Sequence, residues 1–89
     1  MVTPEGERLY PTGQVMERAG VTRQQIYQYT AMGLIEEAQL DRHGYRLYPE
    51  RVFERLRLIR GLRDRGYSLQ EMKEIFFRRA QRDADAGRP

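Results

Sequence analysis

Hydrophobic positions along the chain fall into blocks whose period changes from helical to strand-like and back to helical. Val15, Met16 and Ala19 share one face of a short segment that starts at Thr12, a candidate N-cap, and stops at Gly20. Thr22 opens a second segment with a fuller start signal. Gln25 stands three residues on, as a capping box requires, and Val21 with Ile26 can close a hydrophobic staple around it. Ile26 and Tyr29, with Met32, recur on the inward face, Gly33 ends the segment, and Leu34 packs behind it. Two short helices joined by Gly20-Val21-Thr22 predict a helix-turn-helix.

The period then shortens. Gln39-Leu40 and Tyr45-Arg46-Leu47 alternate on either side of the turn-prone Asp41-Arg42-His43-Gly44, which predicts a two-stranded hairpin, a wing. Pro49 suits the first turn of a third helix. Val52, Leu56, Ile59 and Leu62 follow at spacings of four, three and three, with Phe53 widening the stripe and Gly66 ending it. Ser68 starts a fourth helix with Glu71 as its capping-box partner and Tyr67 with Met72 as its staple. Met72, Ile75 and Phe76 face inward there, and Phe77 falls off that face. The expected fold is mainly α: a winged helix-turn-helix with a two-stranded wing and two further helices. One domain over residues 10–80 is expected between a flexible arm, 1–9, and a fraying tail, 81–89.

Composition narrows the function. A chain of 89 residues holds one core and leaves no room for a separate substrate domain. No apolar run approaches the ~18 residues of a membrane span, and the N-terminus lacks the basic and apolar stretches of a signal peptide. Cysteine is absent, which removes disulfides and thiolate metal sites and fits a reducing cytoplasm. One histidine, no Gly-rich phosphate loop and no carboxylate pair with a plausible pocket leave no reaction to assign, so no enzyme and no cofactor is expected. The net charge of +3 is unevenly placed. Residues 1–22 carry −1, whereas residues 23–67 hold nine arginines against six acids. Of the sixteen basic residues only Lys73 is a lysine, and a planar guanidinium suits phosphate and guanine better than a point charge does.

Three groups of side chains carry candidate chemistry. On the second helix Arg23, Gln24, Tyr27, Gln28 and Thr30 are left outward, and such side chains bond to base edges and phosphates. An ordinary solvated face would look the same. On the wing, Arg42 and His43 sit at the tip and Arg46 on the returning strand, where arginines can straddle a backbone or enter a minor groove. The competing structure there is an ion pair of Arg46 with Glu36 or Glu37, and His43 beside Gly44 reads as a turn residue. The third group is Arg60, Arg63 and Arg65 with Gly66-Tyr67-Ser68, a helix start near guanidinium groups and so a phosphate site.

The stretches YPTGQVMERAGVT, IYQYTAMGLI and GYRLYPERVFERLRLIRGLRDRGYSLQEMKEI lie in one register over about three-quarters of the chain. Together they resemble the DNA-binding domain of MerR-type transcription regulators. The resemblance implies binding as a dimer to palindromic promoter elements, with bending and untwisting of an overlong spacer so that RNA polymerase can engage. It implies a DNA-facing Tyr29, a DNA contact at Arg46, and backbone contacts at Arg63 and Tyr67. Tyr27 stands where the family usually has an arginine, so base preference is not inherited, and Gln28-Tyr29 is similar to the heat-shock-repressor branch. The family usually continues into a dimerisation helix and an effector-binding segment; the chain stops after its fourth helix, as a fragment or a minimal member would. Localisation is expected in the cytoplasm, on the nucleoid. Two other readings use the same fold: an excisionase-like protein that bends DNA as architecture, and a protein-interaction adaptor that has lost DNA binding.

Overall fold

The computed structural model describes residues 2 and 6–86. It builds a three-stranded antiparallel sheet and four helices in the order β1 (Leu9–Pro11), α1 (Thr12–Ala19), α2 (Arg23–Ala31), β2 (Gln39–Leu40), β3 (Arg46–Pro49), α3 (Arg51–Asp64) and α4 (Leu69–Ala86). The helix-turn-helix follows the local signals closely. Gly20 takes the left-handed conformation, φ 68°, that closes α1 at its C-cap. At the start of α2 the Gln25 N–H donates to the Thr22 hydroxyl oxygen and the Thr22 N–H donates to the Gln25 side-chain oxygen, both at 3.0 Å. That reciprocal pair satisfies backbone donors that have no partner within the helix.

The sheet is where structure and expectation part. The wing hairpin is present, with Gln39 opposite Leu47 and Leu40 opposite Arg46. A third strand, β1, pairs with β3 on its other side, Leu9 opposite Pro49 and Pro11 opposite Leu47, giving the order β1-β3-β2. Leu9, expected at the end of a flexible arm, is fully buried, and Val2 forms an isolated bridge with Arg8. Residues 1 and 3–5 of that arm lie outside the described residues. Strand pairing also moves two helix starts. Pro11 is still paired when the helix begins, so it occupies the N-cap without a side-chain bond, and Thr12 is already helical. Pro49 closes β3 rather than opening α3, because Leu9 pairs with it and β2 has ended by then. Helix α4 runs through Ala86, past the expected end near residue 80, since its Ala, Gln and Arg residues favour helix. Residues 87–89 of the expected tail lie outside the described residues.

One core joins all of these elements except β2, whose two residues are exposed. Tyr10, Val15, Ile26, Tyr29, Leu34, Tyr48, Leu56, Ile59, Met72 and Phe76 are buried together, so each predicted inward stripe reaches the same interior. Tyr10 fastens β1 to the start of α3: its ring meets Phe53 edge-on at 4.9 Å and its hydroxyl donates to the Glu50 carboxylate. The Arg18 guanidinium lies 4.1 Å from the Phe53 ring centre and 3.6 Å from Glu50, so α1 is drawn to the same corner.

Candidate nucleic-acid interface

Helix α2 is exposed along Arg23, Gln24, Tyr27 and Gln28 and buried along Ile26 and Tyr29. Gln24 and Gln28 make no side-chain hydrogen bond among the described residues, so both amides are free to meet a ligand. Tyr27 is 44% exposed and lies between two arginines. Arg23 donates weakly to its hydroxyl at 3.4 Å, and the Arg46 guanidinium stands 5.7 Å from its ring centre. Strand β3 and helix α2 are therefore in contact through Tyr27. Thr30, expected outward, turns inward. Its hydroxyl donates to the Ile26 carbonyl at 2.7 Å and lies 2.8 Å from the Tyr48 hydroxyl. A threonine hydroxyl has a single proton, so Tyr48 is the donor in the second bond. Burial holds the Tyr48 phenol above its ordinary pKa, which keeps that proton in place.

The wing tip is organised by one carboxylate. Asp41 Oδ1 accepts the His43 N–H at 2.8 Å and the Tyr45 N–H at 3.0 Å. The Tyr45 bond is the largest influence holding the Asp41 carboxyl below its usual range. Arg42 and His43 are both exposed at the tip, and the Arg42 Nε–H donates to His43 Nε2 at 3.3 Å. Arg46 does reach Glu37, as the ion-pair alternative holds, but at 3.9 Å and with both side chains partly exposed. An exposed pair of that length contributes little, so Arg46 remains available to a phosphate.

At the far end of α3, Arg63 Nη1 donates to the Tyr29 hydroxyl at 2.9 Å. Two residues for which the sequence resemblance separately implies DNA contacts thus touch each other. Tyr67 is 41% exposed just beyond, at the start of the turn into α4. The adjoining helix start is less open to phosphate than its sequence suggests. Ser68 and Glu71 close a capping box, with bonds of 3.0 and 3.1 Å, and the Glu71 carboxylate takes the place an anion would occupy. The Ser68 bonds in turn hold the Glu71 carboxyl below its usual range. The basic chemistry of this corner therefore rests on Arg63. Arg60 is exposed on α3 and reaches toward Gly20, at the turn between α1 and α2. Sequence reasoning missed Tyr45, 69% exposed beside the tip and in ring contact with His43. Strand alternation gave no signal for it: Tyr45 and the buried Leu47 would share a face, but Tyr45 precedes β3 and so escapes that period.

Residues 10–78 match the family described as MerR HTH family regulatory protein. The chain belongs to the MerR HTH family. It is 30% identical over 63 residues to the mercuric resistance operon regulatory protein of Bacillus cereus, covering 71% of this chain and 48% of that protein. It is 33% identical over 67 residues to the transcriptional regulator ZntR of Escherichia coli, covering 75% of this chain and 48% of that protein. The chain thus spans about half the length of these curated relatives. Among solved structures, HiNmlR, a MerR family regulator lacking the sensor domain and bound to promoter DNA, aligns with a TM-score of 0.68 at 25% identity. It covers 76% of this chain and 54% of that one. MtaN, the N-terminus of the Bacillus subtilis multidrug transporter activator, aligns with a TM-score of 0.68 at 27% identity, covering 86% of this chain and 90% of that one. No helix among the described residues of this MerR-family domain is long and apolar enough to cross a membrane.

Proposed function

We propose that this MerR-family domain is a transcription regulator that binds duplex DNA, with α2 in the major groove. Arg23, Gln24, Tyr27 and Gln28 read base edges there, while Arg42, Arg46, Arg60, Arg63 and Tyr67 hold the backbone or the flanking minor groove. The observation that carries this reading is the continuity of the basic surface. Helix α2 touches the wing through Tyr27 and Arg46 on one side and α3 through Tyr29 and Arg63 on the other. The likeness to HiNmlR, a regulator without a sensor domain on promoter DNA, supports the same reading. Two copies on a promoter-type palindrome, working with RNA polymerase in the cytoplasm, complete the proposal. No cofactor enters it.

Genomic footprinting, with duplex affinity measured across salt concentration, tests it. Enrichment at promoter spacers and a steep loss of affinity with salt are expected. Arg46→Ala should weaken binding to specific and random duplexes alike by about tenfold, whereas Gln28→Ala and Tyr27→Ala should shift sequence preference. Enrichment at recombination sites would replace regulation with DNA architecture. No binding to any duplex at low salt would leave a protein-interaction adaptor in its place.

A further inference from the structure

Tyr29 lies in the middle of the recognition helix, yet it is only 2% exposed. Its ring belongs to the core with Ile26, Leu34 and Ile59, and its hydroxyl accepts the 2.9 Å bond from Arg63 Nη1. Arg63 itself is exposed, in the last turn of α3, and among the described residues no carboxylate comes within ion-pair distance of it. An arginine in that position ordinarily samples many rotamers, and a phosphate would have to order it on binding. Here a rigid phenol, fixed by packing, chooses the orientation beforehand.

From this geometry we infer that Tyr29 is a positioning residue: its buried hydroxyl holds the Arg63 guanidinium at the seam between α2 and α3, presented to a DNA phosphate, without itself touching DNA. The inference rests on the DNA-binding reading above and assigns Tyr29 a different part in it. A guanidinium carries its N–H donors in a planar fork, so one edge can bond to Tyr29 while the others stay free for a phosphodiester. Thr30, the next residue on α2, makes the corresponding link on the wing side through Tyr48. Consecutive hydroxyls on α2 thus tie the recognition helix to both flanking elements, and only the Tyr29 link ends on a charge.

Tyr29→Phe removes the tether and keeps the ring. The probe is a fluorescent duplex of mixed sequence, with affinity followed by anisotropy over a series of potassium chloride concentrations. Arg63→Ala is expected to reduce the slope of log affinity against log salt by about one. Tyr29→Phe should weaken binding by about three- to tenfold and lower that slope part of the way, because a poorly held guanidinium neutralises its phosphate less completely. Once Arg63 is already alanine, Tyr29→Phe should change affinity by less than about twofold. A hydroxyl bonded directly to phosphate would behave differently. Its loss displaces no counterion, so weakened binding at unchanged slope, equal in both backgrounds, would overturn the inference. So would unchanged affinity in Tyr29→Phe. Absence of duplex binding by the unmodified protein would overturn both this inference and the reading beneath it. Should Tyr29→Phe lose its cooperative melt, the Arg63 Nε–H order parameter in the free unmodified protein decides instead: high order supports the tether and low order removes it.

Discussion

Helix α2 and the wing tip present similar polar and basic side chains, yet they are held in opposite ways. Helix α2 is capped by Thr22 and Gln25, anchored in the core by Ile26 and Tyr29, and linked to β3 and α3 by hydroxyl bonds. The residues from Arg42 to Tyr45 are all exposed, and a single Asp41 carboxylate bonds two of their N–H groups. Base readout needs donors fixed to within a fraction of an ångström, which a packed helix supplies. Backbone contact tolerates a looser mount, because a phosphate accepts hydrogen bonds from many directions and is drawn mainly by charge. The difference teaches where sequence preference and where general affinity should reside.

Three substitutions probe that contrast, in descending size. Ile26→Ala strikes the anchored side hardest: the side chain is fully buried, and removing it should cost about 2–5 kcal/mol of folding stability, read from chemical denaturation. A cost near zero would mean that α2 is not held by the core. Thr22→Ala removes only the cap and should cost about 1 kcal/mol, with the midpoint shifted and the denaturant slope unchanged.

The third acts on the wing alone. Asp41→Ala should leave the melting temperature nearly unchanged while amide exchange at His43 and Tyr45 accelerates, and binding to mixed-sequence duplex should weaken by about two- to fivefold. The same site gives a pH dependence with a definite sign. The Asp41 carboxyl is held below its ordinary value in the folded chain, chiefly by the Tyr45 N–H. Its contribution is therefore complete above the unfolded value and is lost as pH falls through the lower folded one. Wing order, followed by the His43 and Tyr45 amide signals, should persist through mild acidity and fail only at strongly acid pH. Asp41→Asn should flatten that transition. A transition in the mildly acid or neutral range would overturn this assignment to Asp41.

Much of the fold was legible because its signals are local. The cap at Thr22, the left-handed stop at Gly20, the box at Ser68 and Glu71 and the inward stripes all act over three or four residues, within the reach of one helical turn. The MerR resemblance rested on three stretches of that same order, and the family match over residues 10–78 covers them. Strand β1 was not legible, since three residues are too few to show a period of two and its partner lies about forty positions away. For the same reason nothing near Tyr29 in the chain announces Arg63, and nothing near Thr30 announces Tyr48.

By itself, then, the sequence determined which segments are helical, where α1 stops and α2 begins, and which residues have the chemistry to meet DNA, while strand pairing set the starts of α1 and α3. Tertiary structure alone decided which of those residues point outward and which grip one another: Tyr27 beside Arg46, Thr30 turned inward, Tyr29 spent on Arg63. The physical reason is one of range. The caps at Thr22 and Ser68 and the stop at Gly20 are bonds between near neighbours, whereas these pairings exist only once a shared core has brought α2, β3 and α3 within a hydrogen bond of each other.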